Sequence, residues 1–176
     1  MLHSLAWWPT IVVLGVATVT DLRSRRIPNW LVFPFLAAGL ALSFAPASWH
    51  GIGIAQSLEG MGLGLLLFGI LAMMGGMGMG DVKLCAAIGA WVGPQQLFFA
   101  LVVTAVAGGI MAVVWAAMGG FLGDLFSGSA DLMLGWRKRG MKINPEQTLA
   151  NPKARKMPYA PAIAVGTLLS FFAFAH

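Results

Sequence analysis

The sequence predicts an all-α protein, a polytopic membrane helix bundle with six transmembrane helices and both termini on the extracytoplasmic side. Three observations predict it: the composition, a series of six apolar stretches, and basic residues confined to alternate loops. Of 176 residues, 59% are hydrophobic and only 10% are charged, whereas about a quarter are charged in a soluble domain. We expect one transmembrane domain over 1–176, with no separate soluble module.

The six apolar stretches differ in how easily they could cross a bilayer. A straight crossing needs about 20 residues. The first stretch is short, and the fourth is so short that its length alone would also fit a re-entrant or interfacial segment. No basic residue precedes the first stretch and no convincing small-x-small cleavage site follows it, which favours a retained helix over a cleaved signal peptide. The stretches cover approximately 5–20, 30–48, 55–76, 80–93, 97–122 and 158–175.

The basic residues decide the number of spans. All eleven Lys and Arg residues lie at residues 23–26, at Lys83 or within 137–156. With six spans these three places face one side, which is the cytoplasmic side because basic residues accumulate there. With five spans, the first and last groups would face opposite compartments. The longest connection, 123–157, is therefore predicted to be a cytoplasmic basic loop, whose charge would attract anionic lipid headgroups.

Composition also argues against several other classes of protein. A net charge of +5 and a pI near 10.0 are explained by membrane topology, so no nucleic-acid partner is expected. Cys85 is the single cysteine, which excludes an internal disulfide and favours a buried thiol. His3, His50 and His176 show no ligand spacing. We therefore predict neither a metal nor another cofactor.

Many of the 23 glycines are expected to serve helix packing. Small residues let helix backbones approach closely in lipid, where no hydrophobic force drives helices together. Gly60, Gly62 and Gly64 in the third stretch, and Gly108 and Gly109 in the fifth, belong to this group. Gly78 and Gly80 are the exception, because they lie directly ahead of Asp81.

Two of the six acidic residues stand out by their position. Asp21 closes the first apolar stretch and Asp81 opens the fourth. Because these two helices run in opposite directions, both carboxylates should reach the cytoplasmic end of the bundle at similar depth. An ionisable residue at that depth suggests a functional site. Two simpler interpretations stay open: Asp81 as a helix N-terminal residue stabilised by the helix dipole, and Asp21 as the ion-pair partner of Arg25.

Two carboxylates at one level can share a proton, since like charges in contact do not both ionise easily. The ionised member can then take a proton from water while the protonated member polarises a substrate carbonyl. This is the chemistry of aspartic proteolysis. Gly78 and Gly80, just ahead of Asp81, would give a second backbone room to approach. A substrate helix must unwind before cleavage, and unwound backbone is tolerated only inside protein or against water.

Three segments resemble the type IV prepilin peptidases, a family of membrane-embedded aspartic proteases. GMGD at 78–81, continuing as VKLCAAIGAWVG, is similar to the family's GxGD motif. TDLRSRRIPNWL at 20–31 resembles its other aspartate segment, and MPYAPAIAVG at 157–166 resembles the start of its last helix. GxGD alone is shared with presenilins, but the three segments in this order are specific.

The resemblance implies that Asp21 and Asp81 are the catalytic pair. It implies a prepilin or pseudopilin substrate, with a short basic leader, a glycine and a hydrophobic helix, cleaved on the cytoplasmic side of the bacterial inner membrane. Larger family members carry an N-terminal cysteine-containing domain and also N-methylate the product. Without that domain the chain resembles the short form associated with Flp/Tad-type pili, and the N-methyltransferase activity is not expected.

Other residues in the matching segments have smaller expected roles. Lys83 could influence the acidity of the neighbouring aspartate, or it could only extend its ammonium group to the membrane interface. Pro28 and Asn29 are expected to shape the turn into the second span. Pro158 and Pro161 are expected to set the start of the last helix, where an early proline costs little.

Two other functions would use the same sequence features. A proton- or cation-coupled transporter could use the two carboxylates as a relay, although the interiors of the spans hold almost no other charge to form a path. A non-enzymatic scaffold for pilus assembly would need neither aspartate.

Overall fold

The described part of the chain is helical apart from short turns. A computed structural model describes residues 4–44, 52–73, 77–118 and 158–174. Its helices are α1 (Ser4–Ser24), α2 (Asn29–Ser43), α3 (Ile54–Met73), α4 (Met79–Met118) and α5 (Ala160–Ala173). Within those ranges there is no β-strand, which confirms the all-α prediction. The predicted basic loop over 123–157 lies outside the described residues.

The lengths of the helices bear on membrane insertion. Among the described helices, α3 and α4 are long and apolar enough to cross a membrane, and α2 and α5 are shorter apolar helices. α1 continues beyond residue 20, where the first apolar stretch was predicted to end, and reaches Ser24. Asp21 therefore lies in the last turn of α1.

α4 contains a break that divides it into two arms. Gly93 has φ 78° and ψ 175°, and Pro94 follows directly. Glycine adopts this positive φ without steric cost, and proline lacks the N–H that would continue the hydrogen-bond ladder. The first arm, 79–92, and the second arm, 94–118, correspond to the fourth and fifth predicted stretches. The two stretches, predicted to end at residue 93 and to begin again at residue 97, are instead joined by a single non-helical residue.

The first arm of α4 is the centre of the bundle. Every residue from Leu84 to Gly93 is buried. A helix that is apolar on all sides is stable when other helices enclose it. Burial by the other helices therefore explains why the first arm lacks a polar face. Asp81 lies just before these buried residues. The position of its carboxylate in the bundle therefore depends on the helices that pack around the first arm.

α3 packs antiparallel against the first arm through glycine. A methyl group at Gly60 would collide with the carbonyl of Gly89, and one at Gly64 would lie 2.9 Å from the backbone nitrogen of Ala86. Ser57 donates a hydrogen bond of 2.6 Å to the carbonyl oxygen of Ala90. The packing role predicted for Gly60 and Gly64 is thus confirmed. By contrast, Gly62 has nothing within 4 Å of where its Cβ would be.

α2 runs parallel to the first arm and is fixed to it by Trp91. The indole Nε1–H donates a hydrogen bond of 2.7 Å to the carbonyl oxygen of Phe35. The Phe35 and Trp91 rings stack at 5.0 Å between centroids. Gly39 leaves room for the indole, since a Cβ there would lie 2.7 Å from Trp91 Cδ1. These contacts bring the start of α2 to the same end of the bundle as the start of α4.

α5 is antiparallel to both α1 and the second arm of α4. Near the end of α5, Phe171 packs on Trp7 with ring centroids 4.8 Å apart, and Ser170 accepts a hydrogen bond of 3.3 Å from Gln96. At its start, α5 meets the last turn of α1. The C-terminal end of α1 and the N-terminal ends of α2, α4 and α5 therefore gather at one end of the bundle.

Candidate active site

A cavity of about 300 Å³ lies at that end of the bundle, between the turn that follows α1 and the start of α4. Its lining contains both aspartates, both glycines of the GMGD segment and two arginines. The lining residues are Asp21, Arg25, Arg26, Ile27, Gly78, Met79, Gly80 and Asp81. The two carboxylates that lie sixty residues apart in sequence thus share one cavity.

Asp21 is buried, with 6% of its surface exposed, and its carboxylate is held by α5. Asp21 Oδ2 accepts a hydrogen bond of 3.0 Å from the backbone N–H of Ala160, the first residue of that helix. The first backbone N–H groups of a helix have no partner within the helix. Together with the helix dipole, they favour a negative charge at this position. The start of α5 therefore holds one oxygen of the Asp21 carboxyl group in place.

Arg25 is bonded to Asp21 through the backbone instead of the side chain. Its N–H donates to the Asp21 carbonyl oxygen at 2.8 Å, and its φ of 52° is the one positive value at a non-glycine residue in the described part of the chain. A residue in this left-handed conformation commonly ends an α-helix. The alternative interpretation, an ion pair between Asp21 and Arg25, is not the arrangement found.

Asp81 lies in the first turn of α4, and one of its carboxylate oxygens lacks a hydrogen-bond partner among the described residues. Its N–H donates to the carbonyl oxygen of Gly78 at 3.1 Å, which starts the helix. Its side-chain Oδ1 is buried and has no hydrogen-bond partner among the described residues. A helix dipole accounts for an acid in the first turn, but it does not account for a buried oxygen without a partner, since such atoms are normally bonded.

The two glycines ahead of Asp81 face different neighbours. A Cβ at Gly78 would lie 3.2 Å from Asp81 Oδ2, and a Cβ at Gly80 would lie 3.2 Å from Ile27 Cβ. Gly80 therefore lets the turn after α1 pack directly on the start of α4. This contact holds the segments that carry the two aspartates next to each other.

Lys83 and Asn29 form a pair beside the cavity. Lys83 Nζ donates a hydrogen bond of 3.2 Å to Asn29 Oδ1, and it lies 5.3 Å from the centroid of the Phe33 ring. Pro28 is the N-cap residue of α2 with an extended backbone, as its predicted role in the turn requires. Lys83 thus contacts the start of α2, although the sequence suggested a role in tuning Asp81 or in reaching the interface.

We expect Lys83→Ala and Asn29→Ala to be non-additive in stability. Each removes the same hydrogen bond, and both partners are near the surface, so the coupling free energy should be about 0.5–1 kcal/mol. Unfolding of the two single variants and the double variant in detergent micelles measures it. Fully additive free energies of unfolding would contradict the pairing.

Three features of this end were not found from the sequence. Ala160 acts through its backbone N–H, which no residue type signals. Arg26 lines the cavity but was interpreted only as a topological charge. Tyr159 lies between two prolines. Pro158 is buried, and Pro161 falls in the first turn of α5. The position of Tyr159 inside the MPYAP segment was the available signal.

The fold and the cavity define a helical protein of membrane character with a paired-carboxylate site. The sequence profile of the type IV leader peptidase family matches residues 8–113, which is more than half of the chain. The chain therefore belongs to that family, as the three segments predicted.

Comparison with curated proteins supports the same assignment. A prepilin leader peptidase/N-methyltransferase of Bacillus subtilis is 29% identical over 176 residues, which cover 96% of this chain and 56% of that protein. A protein of the same description from Burkholderia pseudomallei is 32% identical over 115 residues, covering 63% of this chain and 37% of the relative. The chain thus spans about half, or less, of the length of these relatives. No solved structure matches significantly.

Proposed function

We propose that this protein is an intramembrane aspartic endopeptidase that removes the leader peptide of prepilins or pseudopilins. The single observation that carries the proposal is the cavity lined by both Asp21 and Asp81. Membership of the type IV leader peptidase family, and relatives that are prepilin leader peptidases, supply the substrate class.

The contacts of the two carboxylates suggest different roles. Asp21, which accepts the Ala160 N–H, is suited to be the ionised base that takes a proton from water. Asp81, whose Oδ1 has no partner among the described residues, is suited to carry the shared proton and to donate a hydrogen bond to the scissile carbonyl oxygen. Such pairs are stable with one proton between them.

Hydrolysis then balances without another reagent. The water oxygen attacks the carbonyl carbon, its proton passes to Asp21, and the Asp81 proton passes to the carbonyl oxygen to give a tetrahedral diol. The C–N bond breaks as Asp21 returns its proton to the leaving nitrogen and Asp81 recovers a proton from a diol hydroxyl. Gly78 and Gly80 leave the cavity open to an unwound substrate backbone.

The cleavage assay is co-expression with a prepilin and detection of leader removal by the increase in gel mobility. We propose Flp-type prepilins as the preferred substrates. Comparison of an Flp-type prepilin with a type IV prepilin of a larger family member tests this preference. Equal or better processing of the second substrate would contradict it.

We also propose six spans, both termini extracytoplasmic and a site at the cytoplasmic face of the inner membrane. Arg23, Arg25, Arg26 and Lys83 all belong to the segments that form the aspartate end, and basic residues mark the cytoplasmic side. The two arms of α4 count as two of the six spans, joined at Gly93.

Cysteine accessibility tests this topology. In a Cys85→Ala background, Gly53→Cys at the exposed start of α3 should react with an impermeant maleimide in intact spheroplasts. Ser24→Cys at the exposed end of α1 should react only after permeabilisation, because it lies at the aspartate end. Labelling of both positions from the same side would contradict the proposed arrangement.

A further inference from the structure

Three arginines follow Asp21 closely, and they differ in their relation to the cavity of the aspartates. Arg25 and Arg26 line that cavity. Arg23 lies in the last turn of α1 and is not among the lining residues. Membrane topology requires a basic residue to be on the cytoplasmic side, but it does not require that residue to line a cavity. Topology therefore accounts for all three charges and leaves the location of two of them unexplained.

The backbone that carries these two arginines is fixed at both ends. The Arg25 N–H donates to the Asp21 carbonyl oxygen at 2.8 Å, and the left-handed φ of 52° at Arg25 turns the chain out of α1. Directly after Arg26, Ile27 packs on the start of α4, where a Cβ at Gly80 would lie 3.2 Å from Ile27 Cβ. The arginine side chains therefore start from a turn that leads from one aspartate segment to the other.

Both guanidinium groups can receive an anion. In the described part of the chain, neither Arg25 nor Arg26 forms a side-chain ion pair, and both residues are exposed. An arginine presents a planar fork of N–H donors that fits a carboxylate in a bidentate arrangement. A carboxylate that enters the cavity of the two aspartates therefore meets two cations there.

Hydrolysis at this site creates such a carboxylate. Cleavage turns the scissile carbonyl group into the C-terminal carboxyl group of the leader. An α-carboxyl group has a pKa of about 3.5, so it ionises at neutral pH and its proton passes to the released amine. The new negative charge forms beside Asp21 and Asp81, which already hold one negative charge between them. Like charges repel at this distance unless a cation neutralises them.

We propose that Arg25 and Arg26 bind the carboxylate that cleavage creates at the end of the leader. This inference rests on the proposed function, because it assigns the two arginines to a product of that reaction. The ligand class is a peptide with a free α-carboxylate. The two residues hold the leader at the cavity after the C–N bond has broken, so the free leader is a product inhibitor.

Two synthetic leader peptides of one sequence test the proposal, one ending in a free carboxylate and the other in an amide. Any acidic side chain is common to both, so their difference reports the terminal carboxylate alone. Isothermal titration calorimetry measures their binding to the purified full chain in detergent. We expect the acid to bind more tightly than the amide to the unmodified protein. Equal Kd values for the two peptides, or no binding of either, would overturn the proposal.

The double variant Arg25→Gln, Arg26→Gln assigns the effect to the cavity. It should raise the Kd of the acid about ten- to a hundred-fold, the effect of losing charge-assisted hydrogen bonds. The amide should keep its Kd or bind more tightly, because the leader is basic and two positive charges have been removed. If the double variant does not fold, Arg26→Gln alone replaces it, since this change leaves the left-handed residue Arg25 in place. An unchanged Kd of the acid would overturn the proposal.

Arg23→Gln is the matched control, because it removes the same charge from the same end of the bundle outside the cavity lining. It should leave the difference between acid and amide as it is in the unmodified protein. An increase in the Kd of the acid equal to that of the cavity variant would show a general effect of charge and would overturn the proposal. Unfolding midpoints of all variants establish that they are folded.

Failure of the proposed function gives a different result. If the unmodified protein removes no leader from a prepilin, the function falls and the assignment of the carboxylate as a product falls with it. If the protein processes prepilin but binds acid and amide alike, the function stands and only the role of the arginines falls. The cleavage assay and the binding titration therefore distinguish the two failures.

Discussion

Asp81→Asn is expected to abolish prepilin cleavage, with a loss of at least about a thousand-fold, the upper range for a positioned acid–base group. An amide of the same shape cannot carry the proton that the carbonyl oxygen must receive. Asparagine remains acceptable in the first turn of a helix, so the fold should persist. The measurement is leader removal in detergent or proteoliposomes, together with the unfolding midpoint of the variant.

Asp21 offers a sharper separation of chemistry from structure. Asp21→Asn keeps a side-chain oxygen that can accept the Ala160 N–H, now 3.0 Å from Oδ2, but it cannot take a proton from water. We expect it to fold normally and to be as inactive as Asp81→Asn. Asp21→Ala removes the acceptor as well, so it should also lose about 1–2 kcal/mol of stability, as when a helix cap is deleted.

Glu59→Gln is the matched control for loss of a carboxylate. Glu59 is exposed on α3, one residue before Gly60, which packs on Gly89 toward the far end of the first arm. Its replacement should leave cleavage unchanged. Full processing by folded Asp81→Asn or Asp21→Asn would falsify the catalytic assignment. If those variants instead process prepilin normally but lose ion flux in proteoliposomes, the transporter alternative is favoured.

The positions of the helices and the proximity of the two aspartates were predictable. Both depend on the order of apolar, basic and acidic side chains along the sequence. Apolar stretches of sufficient length form helices. The helices of the described residues lie within or close to the predicted stretches. Because the basic residues imply antiparallel first and fourth helices, Asp21 and Asp81 were expected at one end. Both in fact line one cavity.

Features that depend on backbone geometry were not predictable in the same way. The contact that holds Asp21 comes from the N–H of Ala160, a group that nearly every residue has. The apolar stretches 80–93 and 97–122 predicted two helices, but not that the single residue Gly93 would join them. The interior position of the first arm, with Trp91 bonded to Phe35, emerges only when the other helices are packed around it.

Gly60→Ala is expected to be among the most destabilising single-methyl substitutions in the described bundle. The added Cβ would meet the carbonyl of Gly89 and would lie 2.9 Å from the carbonyl carbon of Gly93. These are backbone atoms of the enclosed first arm and of the break that follows it, and they cannot turn aside as a flexible side chain can. α3 must therefore move away, at a cost of about 1–3 kcal/mol or more. The unfolding midpoint in detergent measures the loss.

Gly62→Ala, two residues further along the same helix, is the matched control. Nothing lies within 4 Å of its Cβ position, and alanine is favoured over glycine inside a helix by about 0.8–1.0 kcal/mol. This variant should therefore be as stable as the unmodified protein or more so. Because the first arm carries Asp81 at its start, Gly60→Ala should also reduce cleavage, whereas Gly62→Ala should not. Equal stability of the two variants would show that the close approach of α3 and α4 does not hold the central helix in place.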